Sequence, residues 1–271
     1  MSRAVDDRLA DQIGELMRET ATEVILPRFA RLRDDEISEK SPGEIVTAVD
    51  RIAEGRLASR LQSLLPGSFV VGEERAAADP TIMERVDKET IWLVDPLDGT
   101  ANFVAGNPRF AMMVALISTG ETVRSWLLDI PADRLAVAEQ GAGAFVEGRR
   151  IRPSRHCPSI IDLRGAVLTR YMPADLRAAI EPRLPATGEA LPTLPCAGLD
   201  YPAVATGARH FALYWRTLPW DHAPGALLAT EAGGRVARLD GNRYRPGDGR
   251  NGLLVAANPA IWDLVHATLL G

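Results

Sequence analysis

The stretch Ile91-Trp92-Leu93-Val94-Asp95-Pro96-Leu97-Asp98-Gly99-Thr100 joins an apolar run to a polar turn. Residues 91–94 are apolar and partly β-branched, which predicts a buried strand. Asp95 and Asp98 follow it, and Gly99 lets a ligand approach the backbone closely. Thr100 can begin a helix, whose first N–H groups attract phosphate. The stretch predicts a site for hard cations and a phosphate, although the same residues are also good turn formers.

The bulk composition is ordinary for a soluble globular protein. Of the 271 residues, 46% are hydrophobic and 25% are charged, which is enough apolar material for a sizeable core. The net charge of −5 argues against a nucleic-acid-binding surface, since such a surface needs clustered Lys and Arg. Length alone allows one large domain or two small ones.

Cysteine usage and hydropathy indicate where the protein works. Cys157 and Cys196 show neither metal-ligand spacing nor a disulfide pattern, which favours a reducing compartment. The N-terminus lacks the apolar core of a signal peptide, and the longest apolar run, 110–117, is too short to cross a bilayer. We therefore expect a cytoplasmic protein that does not enter a membrane.

Helical periodicity dominates the first 65 residues, and strand patterns dominate the next 80. Apolar spacing predicts helices over 5–26 and 47–65, and the polar stretch 34–43 between them predicts a loop. In the second helix, the residues expected to face inward are Ile52, Leu57, Leu61 and Leu64. Mostly antiparallel strands are predicted at 69–71, 91–94, 110–117, 124–129, 134–139 and 143–146.

The pattern changes after Pro153, which suggests an N-terminal subdomain, 1–152, and a C-terminal subdomain, 153–271. In the second half, strands are predicted at 166–168, 210–214 and 253–256, helices near 200–207, 221–232 and 259–270, and a loop-rich segment at 171–195. The expected fold class is therefore α/β (α+β).

Carboxylates recur at three other places where elements begin or end. Glu73 and Glu74 follow a predicted strand, Asp50 stands three residues after Thr47 at a helix start, and Asp221 precedes an apolar helix. Taken alone, each has a simpler explanation: a solvated turn, a capping box and an N-cap, respectively.

Taken together and in order, these motifs resemble the inositol monophosphatase family of Mg²⁺-dependent, lithium-sensitive phosphatases. The motifs that carry the resemblance are Lys40…Thr47-x-x-Asp50, Gly72-Glu73-Glu74, Asp95-Pro96-Leu97-Asp98-Gly99-Thr100-x-Asn102-Phe103 and Trp220-Asp221…Glu231-Ala-Gly-Gly. The match extends over about residues 5–270. It implies a layered α/β/α/β/α sandwich with the metal site between the two halves, and homodimers are common in the family.

The resemblance also implies a Mg²⁺ site with two or three ions. Glu73, Asp95 and the backbone carbonyl of Leu97 would hold the first ion. Asp95 would bridge to a second ion, held by Asp98 and Asp221. Hard oxygen ligands suit Mg²⁺, whose charge favours attack of water on a phosphate ester.

The implied catalytic residues are Glu73, Asp50 and Thr100. Thr100 and Asp50 would orient and deprotonate the attacking water, and a third, weaker ion would lie near Glu73 and Asp50. Lys40 aligns with a family lysine near that ion. His222 is expected to pack behind the ligands rather than to bind an ion.

The implied substrate-binding residues are Gly99, Thr100, Asp98, Asp221 and Tyr214, with the N–H groups of Gly99 and Thr100 cradling the phosphate. The expected substrate is a small phosphate ester, either inositol monophosphate or a related sugar or polyol phosphate.

Two departures from the family bear on that substrate. Pro195-Cys196-Ala197-Gly198 stands where relatives acting on inositol phosphates carry Gly-Ser/Thr-Ala-Ala, and Tyr214 replaces a glutamate that contacts sugar hydroxyls in some members. A 3′-phosphonucleotide or histidinol phosphate therefore remains an alternative. The nucleotide would need a basic, adenine-stacking pocket, with candidates Tyr214, Trp215, Arg216 and Arg170. The alternative of a different class is a non-catalytic binding or regulatory protein.

Overall fold

Two large β-sheets and the helices around them form most of the protein. The structure is a computed structural model that describes residues 3–41, 44–187, 189–190 and 196–271. Its α-helices are α1 (Arg3–Thr20), α2 (Ala48–Leu64), α3 (Glu73–Ala78), α4 (Thr100–Val104), α5 (Ala174–Ile180), α6 (Ala197–Thr206), α7 (Pro219–Ala232) and α8 (Pro259–Leu269). Its strands are β1 (Ile37–Ser41), β2 (Glu44–Thr47), β3 (Phe69–Gly72), β4 (Thr90–Asp98), β5 (Ala111–Ser118), β6 (Glu121–Asp129), β7 (Arg134–Glu139), β8 (Gly143–Val146), β9 (Arg149–Arg150), β10 (Arg164–Leu168), β11 (Glu189–Ala190), β12 (Phe211–Tyr214), β13 (Arg235–Ala237) and β14 (Leu253–Ala256).

The larger sheet has seven strands in the order β3-β4-β5-β6-β7-β8-β9. β3 and β4 run parallel and the later neighbours run antiparallel. The predicted run of mostly antiparallel strands is thus confirmed. The smaller sheet has the order β11-β10-β12-β14-β13, with β10 parallel to both of its neighbours.

Alternate residues of β4 face two different apolar cores. Trp92 and Val94 belong to a cluster with Leu57 and other residues of α1 and α2. Ile91 and Leu93 belong to the second cluster, which also contains residues of α6, α7, α8 and the five-stranded sheet. Because strand side chains alternate with a period of two, the seven-stranded sheet carries helices on both faces.

The layers follow in the order α1 and α2, seven-stranded sheet, α6 and α7, five-stranded sheet, α8. The expected α/β/α/β/α sandwich is therefore confirmed. The division into subdomains after residue 152 stays a prediction. It falls between β9 and β10, and one apolar core contains residues from both sides of it. Among the described helices, none combines the length and apolar character needed to span a membrane.

Several local expectations are wrong. The loop predicted over 34–43 contains β1, which forms a hairpin with β2 in which Ile37 pairs with Thr47. Residues 42 and 43 lie outside the described residues. Ile52 was expected inside but is 48% exposed, because Val49, Ala53 and Leu57 define the buried face of α2.

Other element bounds also differ from expectation. The first helix ends at Thr20 and continues as short π and 3₁₀ turns through Arg28, which include Pro27. The loop-rich segment predicted over 171–195 contains α5 and a 3₁₀ turn at Glu181–Thr187. Residues 188 and 191–195 of that segment lie outside the described residues.

Candidate active site

A cleft lies where the end of β4 meets the starts of α3, α4, α6 and α7. The cleft has a volume of about 190 Å³. Its lining includes all but one of the predicted site residues: Glu73, Asp95, Leu97, Asp98, Gly99, Thr100, Tyr214 and Asp221. The remaining one, Asp50, is almost wholly buried and contacts Thr100.

A β-bulge in β4 places two carboxylates on one side of the sheet. Asp95 pairs with Met113 and Asp98 pairs with Ala111, so β4 uses three steps where β5 uses two. Residues three apart in a regular strand face opposite sides, but one extra residue reverses this relation. Both aspartates therefore line the cleft. Pro96 lies in the bulge, where a missing N–H is tolerated, and β4 therefore continues to Asp98, beyond the strand predicted over 91–94.

The loop after the bulge presents Thr100 to Asp50. Gly99 has φ of +88°, and a Cβ there would lie 2.8 Å from the carbonyl oxygen of Arg109. The position therefore favours glycine for both conformation and space. Thr100 Oγ1 lies 3.0 Å from Asp50 Oδ1 and 2.9 Å from the carbonyl oxygen of Leu97. The single hydroxyl proton can thus be donated to either acceptor.

Asp50 is both a helix cap and a partner of Thr100. Its Oδ2 accepts from the backbone N–H of Thr47 at 2.8 Å and from the Thr47 hydroxyl at 2.6 Å, which completes the capping box of α2. Its Oδ1 is left for Thr100. Burial raises the pKa of Asp50, and the Thr47 hydrogen bonds oppose that rise. Asp50 can therefore cap α2 through Oδ2 and contact Thr100 through Oδ1 at the same time.

Glu73 begins α3, and a glutamate from another helix fixes that helix start. Glu54 accepts from the backbone N–H groups of Glu74 and Arg75, at 2.7 and 3.1 Å. Lys40 Nζ lies 2.8 Å from Glu73 Oε1 and also pairs with Glu74. Lys40 therefore lies beside both carboxylates.

The sequence interpretation missed Glu54 because a glutamate in a helix is usually solvated. A signal was available, since Glu54 lies four residues after Asp50 and therefore shares its helix face.

Asp221 lies in the first turn of α7, close to Asp95. Its simpler explanation in the sequence, an N-cap, is wrong, because Asp221 is the third residue of the helix. Leu218 is the N-cap, and Pro219 begins the helix. Burial, and after it the charges of Glu73 and Asp98, raise the pKa of Asp221.

Asp98 receives a hydrogen bond from the start of α6. The N–H of Gly198 donates to Asp98 Oδ2 at 2.6 Å. Burial raises the pKa of Asp98 to about 6, although that hydrogen bond opposes the rise. Pro195, the first residue of the departing stretch, lies outside the described residues.

His222 and Tyr214 belong to the cleft wall together with the carboxylates. His222 Nε2 lies 3.1 Å from the carbonyl oxygen of Arg216, which requires a proton on Nε2 and leaves Nδ1 to accept from the Tyr201 hydroxyl at 2.9 Å. Burial lowers the pKa of His222 to about 3, so the ring is neutral. The Tyr214 ring stacks on Tyr201, with centroids 5.6 Å apart, and its hydroxyl has no hydrogen-bond partner among the described residues.

The donor set suits a hard cation. Burial raises the pKa of Asp95, and the charges of Glu73, Asp98 and Asp221 raise it further. A cation would relieve this mutual repulsion. Within the described ranges, no three Asp, Glu, His or Cys side chains converge tightly enough to ligate a single ion. Mg²⁺ keeps several of its own waters and needs one or two carboxylates per ion, so it fits oxygen donors spread in this way.

The sequence profile of one family matches almost the whole chain. The inositol monophosphatase family profile covers residues 6–270. The chain belongs to the inositol monophosphatase family. The resemblance stated from the motifs is thereby confirmed.

Individual relatives agree with this family membership. An inositol-1-monophosphatase of Mesorhizobium japonicum is 35% identical over 241 residues, which cover 86% of this chain and 85% of that protein. A fructose-1,6-bisphosphatase/inositol-1-monophosphatase of Thermotoga maritima is 32% identical over 215 residues, which cover 75% of each. The solved structure of a Thermotoga maritima IMPase matches with a TM-score of 0.80 at 27% identity, and covers 97% of this chain and 96% of that one.

Members of the inositol monophosphatase family are Mg²⁺-dependent phosphatases. The protein is accordingly a phosphoric monoester hydrolase, as the sequence analysis expected.

Proposed function

We propose that this cleft hydrolyses a small phosphorylated metabolite by attack of water, with two or three Mg²⁺ ions held by Glu73, Asp95, the Leu97 carbonyl, Asp98 and Asp221. Bound Mg²⁺ would neutralise the phosphoryl charge and acidify the attacking water. The observation that carries the proposal is the 3.0 Å contact between Thr100 Oγ1 and Asp50 Oδ1 beside these oxygen donors.

The chain's own groups account for the movement of the proton. Thr100 donates its hydroxyl proton to Asp50 and accepts a hydrogen bond from the attacking water. As water attacks phosphorus, its proton passes to Thr100, and the Thr100 proton passes to Asp50. A phosphorus–oxygen bond forms, the bond to the alcohol oxygen breaks, and the released alkoxide takes a proton from a second water. The proton on Asp50 returns to the resulting hydroxide, so the net reaction consumes one water. The N–H groups of Gly99 and Thr100 hold the phosphoryl oxygens.

For the substrate, we propose inositol monophosphate or a related sugar or polyol phosphate. The names of the two relatives support this class, since one is an inositol-1-monophosphatase and the other is also a fructose-1,6-bisphosphatase. A 3′-phosphonucleotide or histidinol phosphate is the second candidate. It is favoured by Tyr214, which replaces a polyol acceptor, and by Trp215, Arg170 and Arg216 in the cleft lining.

A panel of phosphate esters, assayed for phosphate release, tests this proposal. We expect release to require Mg²⁺ and to fall when Li⁺ is added. No release from any ester at saturating Mg²⁺ would contradict the proposal and favour the non-catalytic alternative.

We also propose that the protein is a cytoplasmic homodimer. Cys157 and Cys196 are both free thiols, as suits a reducing compartment. Light scattering of the purified chain tests the dimer, and a monomer mass at micromolar concentration would contradict it. Fractionation of cells that produce the protein tests the compartment.

A further inference from the structure

Part of the cleft wall is basic and aromatic. Arg170 and Tyr171 follow β10, and Trp215 and Arg216 follow β12. β10 and β12 are adjacent and parallel, with Leu168 paired to Tyr214, so the two segments leave the sheet at the same edge. In the part of the chain that the structure describes, the other charged residues of the lining are carboxylates: Glu44, Glu73, Asp95, Asp98 and Asp221.

Tyr171 holds both guanidinium groups near one ring. The Cζ atom of Arg216 lies 4.1 Å from the ring centroid and that of Arg170 lies 5.1 Å from it. Such contacts orient a guanidinium group through the charge distribution of the ring. Two guanidinium groups in one part of the cleft wall make that part attractive to an anionic group of a ligand. A guanidinium group also matches the geometry of phosphate and carboxylate oxygens.

The segment that carries Arg216 is fixed from behind. The N–H of Gly252 donates to the carbonyl oxygen of Trp215 at 2.7 Å. The buried side chain of Arg238 donates to Thr217 Oγ1 at 2.9 Å and forms an ion pair with Asp248. The residues on both sides of Arg216 are therefore held before any ligand binds, Trp215 through its backbone and Thr217 through its side chain, which lowers the entropic cost of binding.

Arg216 has a partner that an incoming anion can replace. It forms an ion pair with Glu44 at the start of β2, and both side chains are about one-third exposed, at 33% and 29%. Exposed ion pairs contribute little to stability. A phosphate monoester carries a charge near −2, so it competes well with a single carboxylate for Arg216.

We propose that Arg170 and Arg216, oriented by Tyr171, bind a second anionic group on the alcohol part of the substrate. The preferred substrates are then phosphate esters whose alcohol also carries a phosphate or a carboxylate, and Arg216 exchanges Glu44 for that group on binding. This inference rests on the proposed function, because it concerns the alcohol that the reaction releases. It goes further, since inositol monophosphate has an uncharged alcohol.

Matched pairs of esters test the inference directly. Adenosine 3′-phosphate and adenosine 3′,5′-bisphosphate differ by one phosphate, and glycerol 2-phosphate and 2-phosphoglycerate differ by one carboxylate. We expect kcat/KM to be about tenfold higher or more for the charged member of at least one pair, as a charge-assisted contact implies. Formation of adenosine 5′-phosphate from the bisphosphate identifies the ester that is cleaved.

Variants separate this subsite from the site of phosphoryl transfer. Arg170→Gln and Arg216→Gln should each lower the charged-to-uncharged ratio of kcat/KM about tenfold, toward a ratio of one. Arg216→Lys, which keeps the charge without the fork, should retain part of the ratio. Glu44→Gln should lower KM for the charged member, because the competing carboxylate is gone. Arg245→Gln is the control, since Arg245 pairs with Glu121 outside the cleft, and it should change neither rate nor ratio.

Three results would overturn the inference. Equal kcat/KM for both members of each pair, with turnover intact, would overturn it alone. An equal loss on both members in Arg216→Gln would also do so, because Arg216 would then act on the reacting phosphoryl group. No hydrolysis of any ester at saturating Mg²⁺ would overturn the proposed function and this inference with it.

Discussion

Glu54 binds the backbone of Glu74 across two helices: its Oε2 accepts from the Glu74 N–H at 2.7 Å. Its Oε1 accepts from the Arg75 N–H at 3.1 Å, and the residue is only 3% exposed. A Cβ on Gly72 would lie 2.3 Å from this carboxyl group, so the contact also explains the glycine before Glu73. A residue outside the cleft lining therefore sets the direction in which Glu73 enters the site.

Glu54→Gln should weaken both the fold and catalysis. The amide oxygen can accept from one N–H group, but the amide NH₂ then faces the other. We expect a loss of about 1–3 kcal/mol in the free energy of unfolding, measured in urea, together with a lower kcat because Glu73 is less well fixed. Glu89→Gln, at an exposed i,i+4 ion pair with Arg85, is the control and should change stability by less than about 0.5 kcal/mol. A variant as stable and active as the wild type would show that Glu54 does not fix α3.

Asp95→Asn should separate activity from stability. Loss of a bridging ligand should lower kcat by about a thousandfold or more at saturating Mg²⁺. With EDTA present, however, the variant should be at least as stable as the wild type, because a buried charge next to Glu73, Asp98 and Asp221 has been removed. Phosphate release and urea unfolding measure the two effects. Full activity of the Asp95→Asn variant would contradict the assignment of Asp95 as a metal ligand.

Thr100→Val and Thr100→Ser test the proton path. Valine has the shape of threonine without the hydroxyl, so the 3.0 Å contact with Asp50 is lost, whereas serine can keep it. We expect kcat to fall about 100- to 10,000-fold in the valine variant and less than about tenfold in the serine variant. Single-turnover kinetics would isolate the chemical step. Equal losses in both variants would indicate that the methyl group, rather than the hydroxyl, matters.

Asp200 predicts a specific dependence of stability on pH. Burial raises its pKa to about 6, against the opposing charges of Arg209 and Arg109. Between about pH 4 and 6 the folded state keeps a proton that the unfolded chain, with a pKa near 3.9, has released. This contribution to the free energy of unfolding is therefore full below about pH 4 and is lost as the pH rises through about 6.

Asp200→Asn should remove that part of the slope. We expect the stability difference between wild type and variant to change by roughly 2–3 kcal/mol between pH 4 and 7 in urea titrations of the EDTA-treated protein. Asp175→Asn, a change at an exposed position of α5, is the control. An unchanged slope in Asp200→Asn would contradict the prediction.

The sequence allowed much of the fold to be predicted because its signals are local. The alternation of Trp92 and Val94 with Ile91 and Leu93 is contained within one strand, and the cores on both faces follow from it. Features that depend on distant partners were not predicted. The β1–β2 hairpin is polar in sequence, and the ion pair between Glu44 and Arg216 joins the two halves of the chain.

The candidate site also combines features that the sequence predicted with features that depend on distant partners. The resemblance that the motifs carry implied that Asp50, Asp95 and Asp221 would lie together. The motifs did not predict Glu54, because a glutamate within a helix usually faces water. Nor could they show that Asp98 accepts from Gly198, a contact that arises only when α6 packs against the bulge.

The bulge in β4 makes the spacing of Asp95 and Asp98 matter more than the identity of the two residues between them. Substituting Pro96 or Leu97 leaves the residue count, and hence the facing of both aspartates, as it is. Deleting one of the two would restore a regular register in which the aspartates, now two residues apart, still face the same side, but the bend and the unpaired residue of the bulge would be lost. We therefore expect members of this family to vary in residue type at positions 96 and 97 but to carry few insertions or deletions there. Designed libraries should likewise vary the residue types at these positions and keep the number of residues fixed.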